Sequence, residues 1–160
     1  VLWGELDYMV VDLPPGTGDT QLTMLQQVPV SGAVIVTTPE EVALDDARKG
    51  LRMFGRHETP VLGIVENMSS FVCPDCGGTH DIFGSGGGRE FADETEMPFL
   101  GEIPLDPEVR EGGATGEPLV LDEDSDVGES FRDIAARTAN MQGIIHRKRQ
   151  SDSQRAQPEQ

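Results

Sequence analysis

The feature that most constrains this chain is a set of short apolar runs that are continuous rather than alternating. They are Tyr8-Met9-Val10-Val11, Ala33-Val34-Ile35-Val36, Pro60 to Val65, and Phe99 to Ile103. A strand with one wet face alternates apolar and polar residues, whereas an unbroken run belongs to a strand covered on both sides. Stretches of helical period separate the runs. Thr20 to Val28 places Leu22, Leu25 and Val28 on one face, and Glu41 to Arg56 repeats Leu44, Ala47, Leu51 and Phe54. Gly88 to Glu96 is a shorter candidate. Val127 to Ile145 carries a stripe of Val127, Phe131, Ile134, Thr138, Met141 and Ile145. Strand-then-helix repetition predicts an α/β fold, a doubly wound and mostly parallel sheet with helices on both faces. One domain over 1–145 is expected, followed by a polar, disordered tail over 146–160. The basic cluster His146 to Arg149 reads as a solvated helix end that complements the helix dipole.

Such sheets gather their functional groups at the carboxyl ends of the strands. Here those ends carry Asp12, Thr37-Thr38, Asn67 and Pro104-Leu105-Asp106. Charge narrows the possible ligands. Twelve basic against 29 acidic residues leave a net charge of −17, the wrong sign for a surface that coats DNA or RNA. Only Lys49 and Lys148 are lysines, and abundant carboxylates with little lysine resemble a surface adapted to high salt. No run approaches the roughly 18–20 apolar residues of a membrane span. No basic segment followed by an apolar one opens the chain, so a cytoplasmic protein is expected.

Four constellations carry chemistry. In Asp12-Leu13-Pro14-Pro15-Gly16-Thr17-Gly18-Asp19, an apolar strand ends in a carboxylate, as nucleotide sites do to hold Mg²⁺ through a water. Two prolines stiffen the following loop, and glycine at 16 lets a backbone N–H approach a terminal phosphate. Cys73-Pro74-Asp75-Cys76-Gly77-Gly78 holds the only two cysteines. Without a secretory signal a structural disulfide is a poor reading, and Cys-Gly-Gly is a poor opening for the helix of a redox pair. A metal knuckle fits better, because glycine after the second cysteine leaves N–H groups free to face sulfur. Two thiolates are half of a four-ligand site. His80 could add a third ligand, and a second subunit could supply its own Cys73 and Cys76 across a two-fold axis. Spacing alone does not separate Zn²⁺ from a bridging iron–sulfur cluster.

Asn67, placed just past the third strand, offers both a donor and an acceptor to an adenine edge, although a lone Asn there also suits a turn. Pro104-Leu105-Asp106-Pro107 could wall a planar ligand. Gly84 to Gly88 lacks the Lys-Ser/Thr of a phosphate loop and reads as a flexible helix entry.

Together the strings DYMVVDLPPGTGDTQLT, VTTPEEVALDDARKGLRMF, PVLGIVENMSSFVCPDCG, IFGSGGG and PFLGEIPLDPEVREGG resemble the Mrp-type ATP-binding proteins. These are iron–sulfur cluster carriers in the ParA/MinD branch of the P-loop ATPases. The resemblance spans Leu6 to Val120. It implies a homodimer, ATP binding with slow hydrolysis, and a 4Fe–4S cluster that bridges two subunits and passes to apoproteins. By resemblance Asp12 lies near Mg²⁺, Gly16 senses the terminal phosphate, Asn67 contacts adenine beside the Pro104 to Asp106 loop, and Cys73 and Cys76 hold the cluster. ATP with Mg²⁺ would order the Asp12 to Asp19 switch and so alter the dimer interface.

One departure stands out. Nothing in the sequence reads as the family's lysine-bearing GKGGxGKS/T loop. The chain therefore resembles a carboxyl-terminal portion, truncated on its amino-terminal side. Alone it is expected to bind ATP poorly, to lack catalytic residues, and to expose a sheet edge that favours self-association.

Overall fold

A computed structural model describes residues 2–73 and 75–155. The first regular element is α1 (Asp19–Gln27), followed by β1 (Ala33–Thr37), α2 (Glu41–Arg56) and β2 (Val61–Val72). Next come β3 (Thr79–His80), α3 (Gly87–Glu94), β4 (Phe99–Leu105) and α4 (Pro107–Thr115). A 3₁₀ turn (Leu119–Leu121) leads into α5 (Asp126–Arg155). Strand β2 is central. It pairs in parallel with β1 on one side and β4 on the other, while β3 folds back antiparallel on its far end.

Neighbouring residues of β2 serve opposite faces, as pleating requires. Ile64 joins Ile35, Leu44, Phe54, Phe91 and Ala92, with Leu22 and Leu25 of α1 packed against them. Val65 joins Leu100 and Ile103 under Val127, Phe131, Ile134 and Met141 of α5. Helices therefore cover both faces, as the continuous apolar runs predict. Two glycines permit the close layers. A Cβ at Gly63 would stand 2.6 Å from the Pro98 carbonyl oxygen, and one at Gly101 2.7 Å from Ile134 Cγ1. Arg48 ties α2 to α3, reaching Glu41 and Glu94 at 3.2 Å each and lying 5.5 Å from the Phe91 ring centroid.

Four expectations are corrected. Tyr8 to Val11 is not a strand, and the segment is irregular with Val10 at 93% exposure. A buried parallel strand needs ladder partners and cover on both faces, and among the described residues this run has neither. Asn67 lies inside β2 rather than beyond it, because β2 continues to Val72. Pro104 likewise sits within β4. Finally, α5 runs past Ile145 and keeps 146–155 helical, where a polar disordered tail is expected. Gln150 Nε2 lies 2.8 Å from His146 Nε2 one turn back, and Arg149 donates to the Glu58 carbonyl at 3.0 Å. Residues 156–160 fall outside the described set.

Candidate functional site

The parallel register sets the carboxyl ends of β1 and β4 beside the middle and far part of β2. Thr37 pairs with Glu66, and Asn67 pairs with Ile103. Asn67 on β2 and Pro104 and Leu105 on β4 are thus neighbours on adjacent strands, with Asp106 following. Asn67 Oδ1 accepts the Met68 N–H at 2.9 Å. That bond supports the left-handed φ of 57° at Met68, a conformation uncommon outside glycine. The register against β4 shifts between Asn67 and Phe71, and pairing resumes between Phe71 and Leu105. Asp106 has a structural task of its own: Oδ1 accepts the Glu108 N–H at 2.7 Å and caps α4, with Pro107 in the first turn.

Asp12 and Gly16 lie on no strand of this sheet. Asp12 is exposed on the irregular segment and does not end a strand. Gly16 has φ +95° with open space around its Cα, so its backbone requires glycine for conformation rather than for room. The Pro14-Pro15 turn is anchored by a residue the sequence patterns did not mark. Gln21, 3% exposed, donates Nε2 to the Pro14 carbonyl at 2.7 Å and to the Pro15 carbonyl at 3.4 Å.

Past this shift, β2 carries the cysteines out on a hairpin. Its ladder pairs Phe71 with His80 and Val72 with Thr79. The Cys73 N–H donates to Gly78 O at 2.9 Å, and the Gly77 N–H to Cys73 O at 2.8 Å. Both cysteines are free; Cys73 is half-buried and Cys76 exposed. The backbone N–H groups of Asp75 and Cys76 donate to the Cys73 sulfur, and a hydrogen bond with the Cys76 side chain adds to them. Together they hold the Cys73 thiol below its ordinary range. Such N–H to sulfur bonds favour the thiolate, the form that binds metals. A Cβ at Gly78 would meet Cys76 Sγ at 3.3 Å and His80 Nε2 at 3.4 Å, so both groups crowd the hairpin tip. Among the described residues no three His, Cys, Asp or Glu side chains are grouped to hold a metal ion. His80 therefore does not complete a three-ligand set with the two thiols.

A second residue escaped sequence reasoning. Glu66, adjacent to Asn67, is fully buried, and its carboxylate accepts the backbone N–H groups of Gly86 (3.2 Å) and Gly88 at the start of α3. The available signal was a lone carboxylate inside an apolar run, since a buried charge must be met by donors.

A mostly parallel sheet clad on both faces, with a two-thiol hairpin at the end of its central strand, defines an α/β protein of the doubly wound class. Solved structures agree on the fold. An ADP-bound nucleotide-binding protein of Archaeoglobus fulgidus, described with cobalt found, superposes with TM-score 0.67 at 43% identity. It covers 79% of this chain, which spans 51% of that one. The cell-division ATPase MinD of Pyrococcus furiosus gives TM-score 0.67 at 27% identity, over 88% and 54% of the two chains. Residues 1–139 match the ParA family described as NUBPL iron-transfer P-loop NTPase, and the chain belongs to that family. Iron-sulfur cluster carrier proteins are similar to it throughout. That of Deinococcus radiodurans is 55% identical over 136 residues, 85% of this chain and 38% of its own length. That of Escherichia coli is 49% identical over 139 residues, 86% and 38% of the two lengths. The chain spans less than half of these relatives. Among the described residues no helix is long and apolar enough to cross a membrane.

Proposed function

We propose that this protein carries iron–sulfur clusters in the cytoplasm, holding a 4Fe–4S cluster as cargo between two copies of the chain and passing it to apoproteins. The observation that carries this reading is the hairpin at Cys73 and Cys76. It offers two free thiols, of which Cys73 is held toward thiolate by neighbouring backbone N–H groups, and a four-iron cluster takes about four thiolate ligands. Two copies related by a two-fold axis supply that number from one surface. The names of the relatives support the cargo assignment.

Nucleotide belongs to the same proposal. Asn67 beside Pro104 and Asp106 would hold the base, Gly16 would approach the terminal phosphate, and Asp12 would bind Mg²⁺ through a water. ATP, when bound, would supply phosphate charge at the Asp12 to Asp19 loop. The course of β2 from Asn67 to Val72, next to Cys73, is the chain's own link between the base site and the thiols.

Anaerobic reconstitution with iron and sulfide tests the cargo. The expected result is a broad absorbance near about 400 nm with about four irons per two chains, lost in Cys73→Ser and in Cys76→Ser, and dimerisation that accompanies it. Stoichiometric zinc that iron does not displace would replace this reading with a structural zinc dimer. A reduced chain that stays monomeric and takes neither metal would refute both.

A further inference from the structure

We infer that Glu66 is a positioning residue for Cys73 and Cys76: its carboxylate clamps the base of the cysteine hairpin and sets the angle at which the thiols leave the sheet. The inference deepens the carrier reading and rests on it for the identity of the cargo.

Between Glu66 and Gly86 the chain makes a 20-residue excursion that carries both cysteines. Two of the ties across it lie near its exposed tip: the two-pair ladder of β3 and the Cys73 to Gly78 hydrogen bond. Both residues of β3 are exposed, and a two-residue ladder in water is weak by itself. The outgoing limb stays on the sheet as far as Phe71, which pairs with Leu105; the tie that brings the return limb to it is buried. Glu66 is fixed in the centre of the sheet, paired with Thr37 on one side and Glu102 on the other. Its two oxygens take the Gly86 and Gly88 N–H groups, where the positive end of α3 strengthens the attraction.

The glycines of the return segment are shaped to this carboxylate. Gly86 adopts φ +76°, and a Cβ at Gly88 would stand 2.9 Å from Glu66 Cβ and 3.0 Å from Oε2. Gly86 and Gly88 therefore form a receptor for Glu66 rather than a loose helix entry. Since the knuckle makes its own local turn, losing the clamp leaves each thiol pair formed but frees the return limb, so that the tip beyond the Phe71–Leu105 pair can swing. A cluster shared between two copies needs both pairs held at one angle.

The test compares Glu66→Gln, which turns a donor toward a backbone donor, and Gly88→Ala, which displaces an unaltered carboxylate. Gly128→Ala serves as a control; its Cβ would stand 2.3 Å from the Leu119 carbonyl oxygen, far along the chain from the thiols. Two quantities are read on the whole chain well below its melting temperature. One is amide hydrogen exchange over residues 71–80 without metal. The other is release of iron from the reconstituted cluster to a ferrous chelator. Both should rise at least about tenfold in Glu66→Gln, the scale of a hydrogen bond to a charged group, and in Gly88→Ala. Gly128→Ala, even where it lowers the melting temperature as much, should move neither. Equal changes in the control, or none in the clamp variants, would overturn the inference. If Glu66→Gln does not fold, Gly88→Ala decides. If the unsubstituted chain takes up no iron, the carrier reading fails, while the exchange measurement still decides the clamp.

Discussion

Gln21→Met asks whether the Pro14-Pro15 turn is held by one side chain. The substitution keeps volume and removes both donors, leaving the Pro14 and Pro15 carbonyls without the partners at 2.7 and 3.4 Å. The shorter bond contributes about 1 kcal/mol and the longer about 0.5 kcal/mol. The sum raises the population of loop-open molecules about tenfold, since 1.4 kcal/mol is a factor of ten. Cleavage at Asp12 and Asp19 by an aspartate-specific protease tracks that population when opening is fast, and should speed up by this factor. Exchange of the Leu22 amide, which donates to Gly18 O at 3.2 Å, should follow. Amides of β1 and β2 should not change, because Leu22 and Leu25 still pack on the core. Gln21→Glu should open the loop further, as a carboxylate then faces two carbonyl oxygens. Unchanged cleavage in both variants, or faster exchange spread evenly over the sheet, would refute the anchor.

Other expectations follow from the same geometry. Asp106→Ala removes the cap on α4 and should lower stability by about 1 kcal/mol in urea unfolding. Gly16→Ala should cost about 1 kcal/mol through its φ of +95° alone, since no atom lies within 4 Å of the new Cβ; a backbone shift detected around it would argue against this account. Gly63→Ala should cost more, about 1–3 kcal/mol, because the Pro98 carbonyl 2.6 Å away belongs to backbone and cannot swing aside. The Cys73 thiol is lowered by the Asp75 and Cys76 N–H groups, so its alkylation rate should rise at lower pH than that of a cysteine in an unfolded peptide. The linked stabilisation is present above the ordinary value of 9.0 and is lost as pH falls through the lower folded value. Profiles that coincide would count against the N–H to sulfur bonds.

Much of the architecture was legible because it depends on local pattern. Ala33 to Val36 and Glu41 to Arg56 coincide with β1 and α2 nearly to the residue, since apolar period and burial are both short-range properties. Tyr8 to Val11 carries the same apolar pattern but remains irregular and exposed, because a strand exists only through the strand beside it. The cysteine motif was visible as spacing. The bonds from Asp75 and Cys76 to sulfur required the fold of the turn.

The linear order of residues was enough to determine the helix-clad, mostly parallel sheet and the two-thiol knuckle. Each is written in residues close together along the chain. Tertiary structure alone decided that Asn67 meets Ile103 beside Pro104, that Gln21 holds the proline turn, and that Glu66 closes on Gly86 and Gly88 across 20 residues. The physical reason is that a buried polar group must find donors or acceptors wherever packing brings them, and period and composition carry no record of which distant backbone that will be.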